Sequence, residues 1–74
     1  MLLPTNREKK LRELLRQARL DGQLRQVDLA DALGKPQSFV AKVESGERTL
    51  SFIETLDYCK ALGQDPLLLV TALK

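Results

Sequence analysis

The sequence predicts an all-α chain: five short helices packed as one domain over residues 1–74. Three observations carry this. Apolar residues recur at the three- and four-residue spacing of a helix face rather than alternating as in a strand. Cap-type residues precede each of three apolar runs: Thr5 with Glu8, Ser51 with Glu54, and Asp65 with Pro66. Glycines at 34, 46 and 63 fall where these runs stop.

The first helix is expected to begin at Thr5, whose hydroxyl and the Glu8 carboxylate have capping-box spacing. Leu11, Leu14, Leu15 and Ala18 then make one apolar stripe, and Asp21-Gly22 ends it. A second helix spans about Gln26 to Leu33, with Leu29, Ala30 and Leu33 inward and Gly34 as its stop. The third follows at once, with Pro36 in its first turn and Gly46 after it. Val40 and Val43 lie on one side; Gln37, Ser38, Ala41 and Lys42 lie on the other. A fourth helix starts at the Ser51/Glu54 box, with Phe52, Leu56 and Cys59 as its inner face and Ile53 beside them. The fifth begins with Asp65 as cap and Pro66 at its first position, then runs Leu67, Leu68, Leu69, Val70, Ala72, Leu73. It is apolar all round, more than one small core can hide.

Composition narrows the function. A chain of 74 residues buries only about 60% of the surface its unfolded form exposes. A deep site for a small-molecule substrate is therefore not expected, and association with a second subunit is. With no histidine and one cysteine, Cys59, the chain has no plausible metal cluster, cofactor ligand set or catalytic constellation, so an enzyme is disfavoured. Cys59 reads as a core residue. The longest apolar run, Leu67–Val70, is too short to cross a membrane. The residues before Pro4 do not read as a signal peptide, so a cytoplasmic protein is expected.

The net charge of +2 is unevenly spread. Residues 1–25 carry seven Arg/Lys against three acids, net +4; residues 26–74 carry five against seven, net −2. An uneven basic field suits an anionic partner.

The second and third helices, joined by the tight turn Gly34-Lys35, have the pattern of a helix-turn-helix. In that motif the first helix crosses the DNA backbone and the start of the second meets base edges in the major groove. Gln37 can pair with adenine, Ser38 can donate or accept, and Lys42 can reach guanine or a phosphate. By pattern alone a solvated helix face fits these residues equally well. RNA is disfavoured because single-strand readers stack bases on aromatics. Only Phe39, Phe52 and Tyr58 are present, two of them in the fourth helix.

Gln26 to Gly34 and Pro36 to Arg48 resemble the helix-turn-helix of phage repressor and Cro proteins, the Xre family. The resemblance begins near Leu11 and includes Ala61-Leu62-Gly63 and Asp65-Pro66. It implies a compact, five-helix, repressor-like fold and a sequence-specific partner in double-stranded DNA. It assigns base reading to Gln37, Ser38 and Lys42, and phosphate contact to Gln26. By placement near the same backbone, Arg25, Lys35 and Arg48 join the phosphate-contacting set. It implies an ion pair between Arg19 and Glu44, with a structural role for Glu44. Arg25 stands where the family usually has a Ser or Thr cap, and Glu47 where a basic residue is common. Phe39, at a place where smaller or polar residues are common, reads as a packing residue rather than a thymine contact.

The expected function is a transcriptional regulator acting as a homodimer on a near-palindromic operator, a restriction–modification controller or prophage-type repressor. The dimer is expected through the fifth helix (Leu67, Leu68, Leu69, Val70, Leu73) and the end of the fourth. The alternative is an antitoxin-type module that binds a protein as well as DNA.

Overall fold

Each predicted start and stop has a backbone counterpart in the structure, a computed structural model that describes residues 5–74. The helices are α1 (Asn6–Asp21), α2 (Gln26–Leu33), α3 (Gln37–Ser45), α4 (Phe52–Leu62) and α5 (Pro66–Leu73). The Thr5 hydroxyl accepts from the Glu8 N–H at 3.1 Å, and Ser51 does the same for Glu54 at 3.1 Å. Asp65 accepts from the Leu67 N–H at 2.9 Å, ahead of Pro66 in the first turn.

Leu15, Leu29, Ala30, Val40, Val43, Tyr58 and Cys59 form the buried core, contributed by α1 to α4. The fully buried residues of α1 are Leu15 and, one turn further on, Arg19. Cys59 is fully buried as expected, and burial pushes its thiol pKa up. Phe39 is half-buried against the core, its ring 6.4 Å from that of Tyr58.

Gly34 turns the chain between α2 and α3 in the left-handed region, φ 67. The following Lys35 N–H returns to the Ala30 carbonyl at 2.9 Å, so the turn is closed by backbone alone. This short closure fixes α3 against α2 and aims the α3 N-terminus outward.

Two local expectations are corrected. Pro36 is the N-cap of α3, with extended backbone, and Gln37 is the first helical residue. α1, by contrast, ends at Asp21-Gly22 as expected, with Gly22 at an ordinary φ of −81 and the next residue, Gln23, in the left-handed region at φ 59. Phe52 and Ile53 do not face the core: they are 74% and 64% exposed. Cys59 faces inward as expected, and Tyr58 beside it, rather than Phe52, completes the buried face of α4, nearly two turns further on.

α5 has no fully buried residue; Leu69 is its contact with the core. Its C-terminus is held by α1, where Arg7 Nε donates to the Leu73 carbonyl (2.8 Å) and Lys10 Nζ to the Ala72 carbonyl (2.9 Å). Cations at the negative end of a helix dipole are favourably placed.

Candidate DNA-binding surface

The third helix divides its two duties between its two sides over about two turns. Val40 and Val43 are buried, while Gln37, Ser38 and Lys42 are exposed. α3 is thus anchored by one side and leaves the other open, and no acidic residue lies in its first turn.

Its last turn is fixed by a buried charge. The Glu44 carboxylate accepts the side edge of the Arg19 guanidinium, Nε at 2.7 Å and Nη2 at 2.9 Å. Both side chains are only 8% exposed, so the pair is shielded from solvent. Arg19 Nη1 also donates to the Leu24 carbonyl at 2.8 Å. One guanidinium therefore ties α1, the α1–α2 loop and α3 together. Burial pushes the Glu44 pKa up, but the Arg19 and Gln26 hydrogen bonds and the nearby Arg19 and Arg16 charges outweigh it, and the net shift is downward. The Glu44 hydrogen bond in turn raises the Arg19 pKa.

Glu44 also reaches toward the exposed surface. Gln26 Nε2 donates to Glu44 at 3.0 Å, and Gln26 Oε1 accepts from Gln37 Nε2 at 3.3 Å. The residue that opens α2 is thereby linked to the residue that opens α3. Spacing alone does not reveal this relay, because Gln26 and Gln37 lie on different helices.

Arg25, Lys35 and Arg48 occupy different surroundings. Arg25 is exposed and pairs with Asp28 at 2.9 Å. Asp28 also accepts the Arg25 backbone N–H at 2.8 Å. Asp28 thus makes the reciprocal half of a capping box, satisfying the Arg25 N–H, while the acceptor that a Ser or Thr at position 25 would offer to the first turn is missing; the Asp28 carboxyl is held below the usual range by Arg25. Lys35 is exposed, its ammonium 5.6 Å from the centre of the Phe39 ring. Arg48 lies 4.8 Å from the same ring and pairs with Glu54 at 2.6 Å. Phe39 and Glu54 were not assigned to this surface from sequence. The Ser51/Glu54 spacing explained Glu54 as a helix cap, which it also is.

A helix-turn-helix family, HTH_3, matches residues 15–69, which contain every one of these groups. The chain belongs to this family. It is the Xre-type helix-turn-helix, a family of DNA-binding transcription regulators, and the sequence resemblance is borne out. Among solved structures, an XRE-family-like protein from Pseudomonas syringae pv. tomato str. DC3000 is 45% identical, with a TM-score of 0.86 over 90% of this chain and 82% of that one. The wild-type restriction–modification controller protein C.Esp1396I has a TM-score of 0.84 over 93% of this chain and 91% of its own, at 19% identity. A tyrosine-to-phenylalanine mutant of the same controller gives 0.85 over 96% and 90%, at 20% identity. At that identity the two controller structures are alike in fold. No match was found among curated proteins. Among the described residues, no helix is long and apolar enough to cross a membrane.

Proposed function

We propose that this DNA-binding regulator is sequence-specific and acts as a homodimer on a near-palindromic operator, as a restriction–modification controller or prophage-type repressor does. The observation that carries the reading is the braced α3: its last turn is locked by Glu44, and its exposed side carries Gln37 and Ser38 in an acid-free first turn and Lys42 further along. Gln37, Ser38 and Lys42 read base edges in the major groove. Gln26, Arg25, Lys35 and Arg48 contact the phosphates on either side. The Gln26–Gln37 hydrogen bond couples the two sets, so Gln37 is held ready for a base while Gln26 lies toward the backbone.

The homodimer reading rests on α5. Leu67, Leu68 and Val70 are 69%, 62% and 55% exposed on a single short helix, around the half-buried Leu69. Leu69 and Leu73 are half-buried and divide their surface between the monomer and a partner. Phe52 and Ile53 add exposed apolar surface at the start of α4 rather than at its end. A two-fold dimer sets two recognition helices about 34 Å apart, one turn of duplex.

Selection from a random duplex pool, followed by binding of the chosen site, tests this. A near-palindrome is expected, and Gln37→Ala should weaken the selected site by about 1–3 kcal/mol while changing bulk duplex affinity less. A Gln37→Ala protein that keeps full preference for the same site would remove Gln37 from the base-reading set.

A further inference from the structure

The surroundings of Arg48 do more than hold a surface cation. A guanidinium carries five N–H donors in one plane. In Arg48, Nη1 donates to the Thr49 carbonyl and to Glu54 Oε1, and Nη2 donates to Glu54 Oε2 at 2.6 Å. These bonds use the end of the fork. The side edge, Nε–H and the second Nη2–H, has no acceptor among the described residues. It is the same edge with which Arg19 grips both oxygens of Glu44. The Arg48 side chain is 40% exposed, against 8% for Arg19, so it is open to a ligand.

Two groups keep the fork in place. Glu54 is itself fixed, because it also accepts the Ser51 N–H at 2.8 Å at the start of α4. The Phe39 ring covers the guanidinium from 4.8 Å, and it is half-buried against Tyr58 and the core. Phe39 is the third residue of α3, so Arg48 stands beside the first turn of the reading helix. A planar, bidentate pair of donors matches the oxygens of a phosphate group.

We infer that Phe39 and Glu54 are positioning residues for DNA binding: they hold Arg48 so that its free edge grips one backbone phosphate beside the first turn of α3. The inference rests on the duplex-DNA reading above. It gives Phe39 a role beyond packing and makes Arg48 a preset contact rather than a flexible counter-charge. A preset side chain loses less freedom on binding than one that must be ordered.

The test is duplex binding at low salt, followed by fluorescence anisotropy on a generic two-turn DNA. Phe39→Leu keeps an apolar group of similar bulk and leaves net charge unchanged, yet it should weaken binding about fivefold through loss of the ring face. Phe39→Trp should restore binding. On an Arg48→Ala background the Phe39→Leu loss should shrink to within about twofold. An equal loss in both backgrounds would overturn the inference. Nitrogen-15 spectra of the wild-type arginine side chains give a second readout that does not depend on any variant folding. The Arg48 Nε–H signal should shift and exchange more slowly when duplex is added, and an unmoved signal at saturation also overturns the inference. Wild-type protein that fails to bind duplex would instead remove the underlying function. Normal wild-type binding with an indifferent Phe39→Leu removes only the positioning role.

Discussion

Glu44 is the residue on which most of the surface geometry depends. It is a charge placed at a nearly closed position, and it is tolerable there because Arg19 meets it with two hydrogen bonds and Gln26 adds a third. Removing either Arg19 or Glu44 leaves its partner buried and unpaired, at a cost of about 3–5 kcal/mol. Arg19→Met with Glu44→Leu should cost clearly less than the two single changes summed. Urea unfolding of the four proteins measures this, and strict additivity would show that the pair is not coupled. Glu54 gives a pH signature of its own. The Arg48 hydrogen bonds and the Ser51 N–H hold its pKa at about 2, well below the ordinary 4.5. A depressed carboxylate stabilises the fold above its unfolded pKa, and that stabilisation is lost as pH falls from about 4.5 toward about 2. The melting temperature should therefore fall less steeply through this window in Glu54→Gln than in the wild type. Parallel curves would mean that the Arg48–Glu54 pair does not form in solution.

At the scale of the element, the α1–α2 connection holds a small conformational cost. α1 ends where Asp21-Gly22 indicated, but the chain reverses at Gln23, which sits at φ 59. A side chain in this region is disfavoured and glycine is not. Gln23→Gly should stabilise the protein by about 0.5–1 kcal/mol, read as a raised urea midpoint at unchanged slope. Gly22→Ala should be nearly neutral, since an added Cβ would approach nothing closer than 3.5 Å. The opposite ranking would relocate the turn to Gly22. α5 is the other element with little of its own to hold it. With no fully buried residue, it depends on Leu69, on Arg7 and Lys10 at its C-terminus, and on whatever covers Leu67, Leu68 and Val70.

For the whole molecule, those exposed residues are the basis of the proposed dimer. A small chain that leaves Leu67, Leu68 and Val70 more than half exposed on one short helix has an incentive to pair. Leu68→Glu should convert a dimer to a monomer in sedimentation at tens of micromolar, keep its helical ellipticity, and lose steep operator binding. A wild type that sediments as a monomer under the same conditions, and binds as one copy per site, would exclude the symmetric dimer.

The five helices, their caps and the turn at Gly34 were determined by the sequence, because each depends on residues three or four apart whose chemistry acts locally. Val40 and Val43 inward, with Gln37, Ser38 and Lys42 outward, followed from helical periodicity in the same way. The Arg19–Glu44 pair was reached through family resemblance, since nothing local joins residues 25 apart. Phe52 and Ile53 were misplaced because apolarity reports a preference for burial, not the angle at which α4 enters the core. Only the tertiary structure decided that α4 meets the core through Tyr58 beside Cys59, nearly two turns after Phe52. It alone showed that Gln26 bridges Glu44 and Gln37, and that Arg48 lies between Phe39 and Glu54. The physical reason is common to these cases: the groups sit on different elements, and their distances are set by how helices pack.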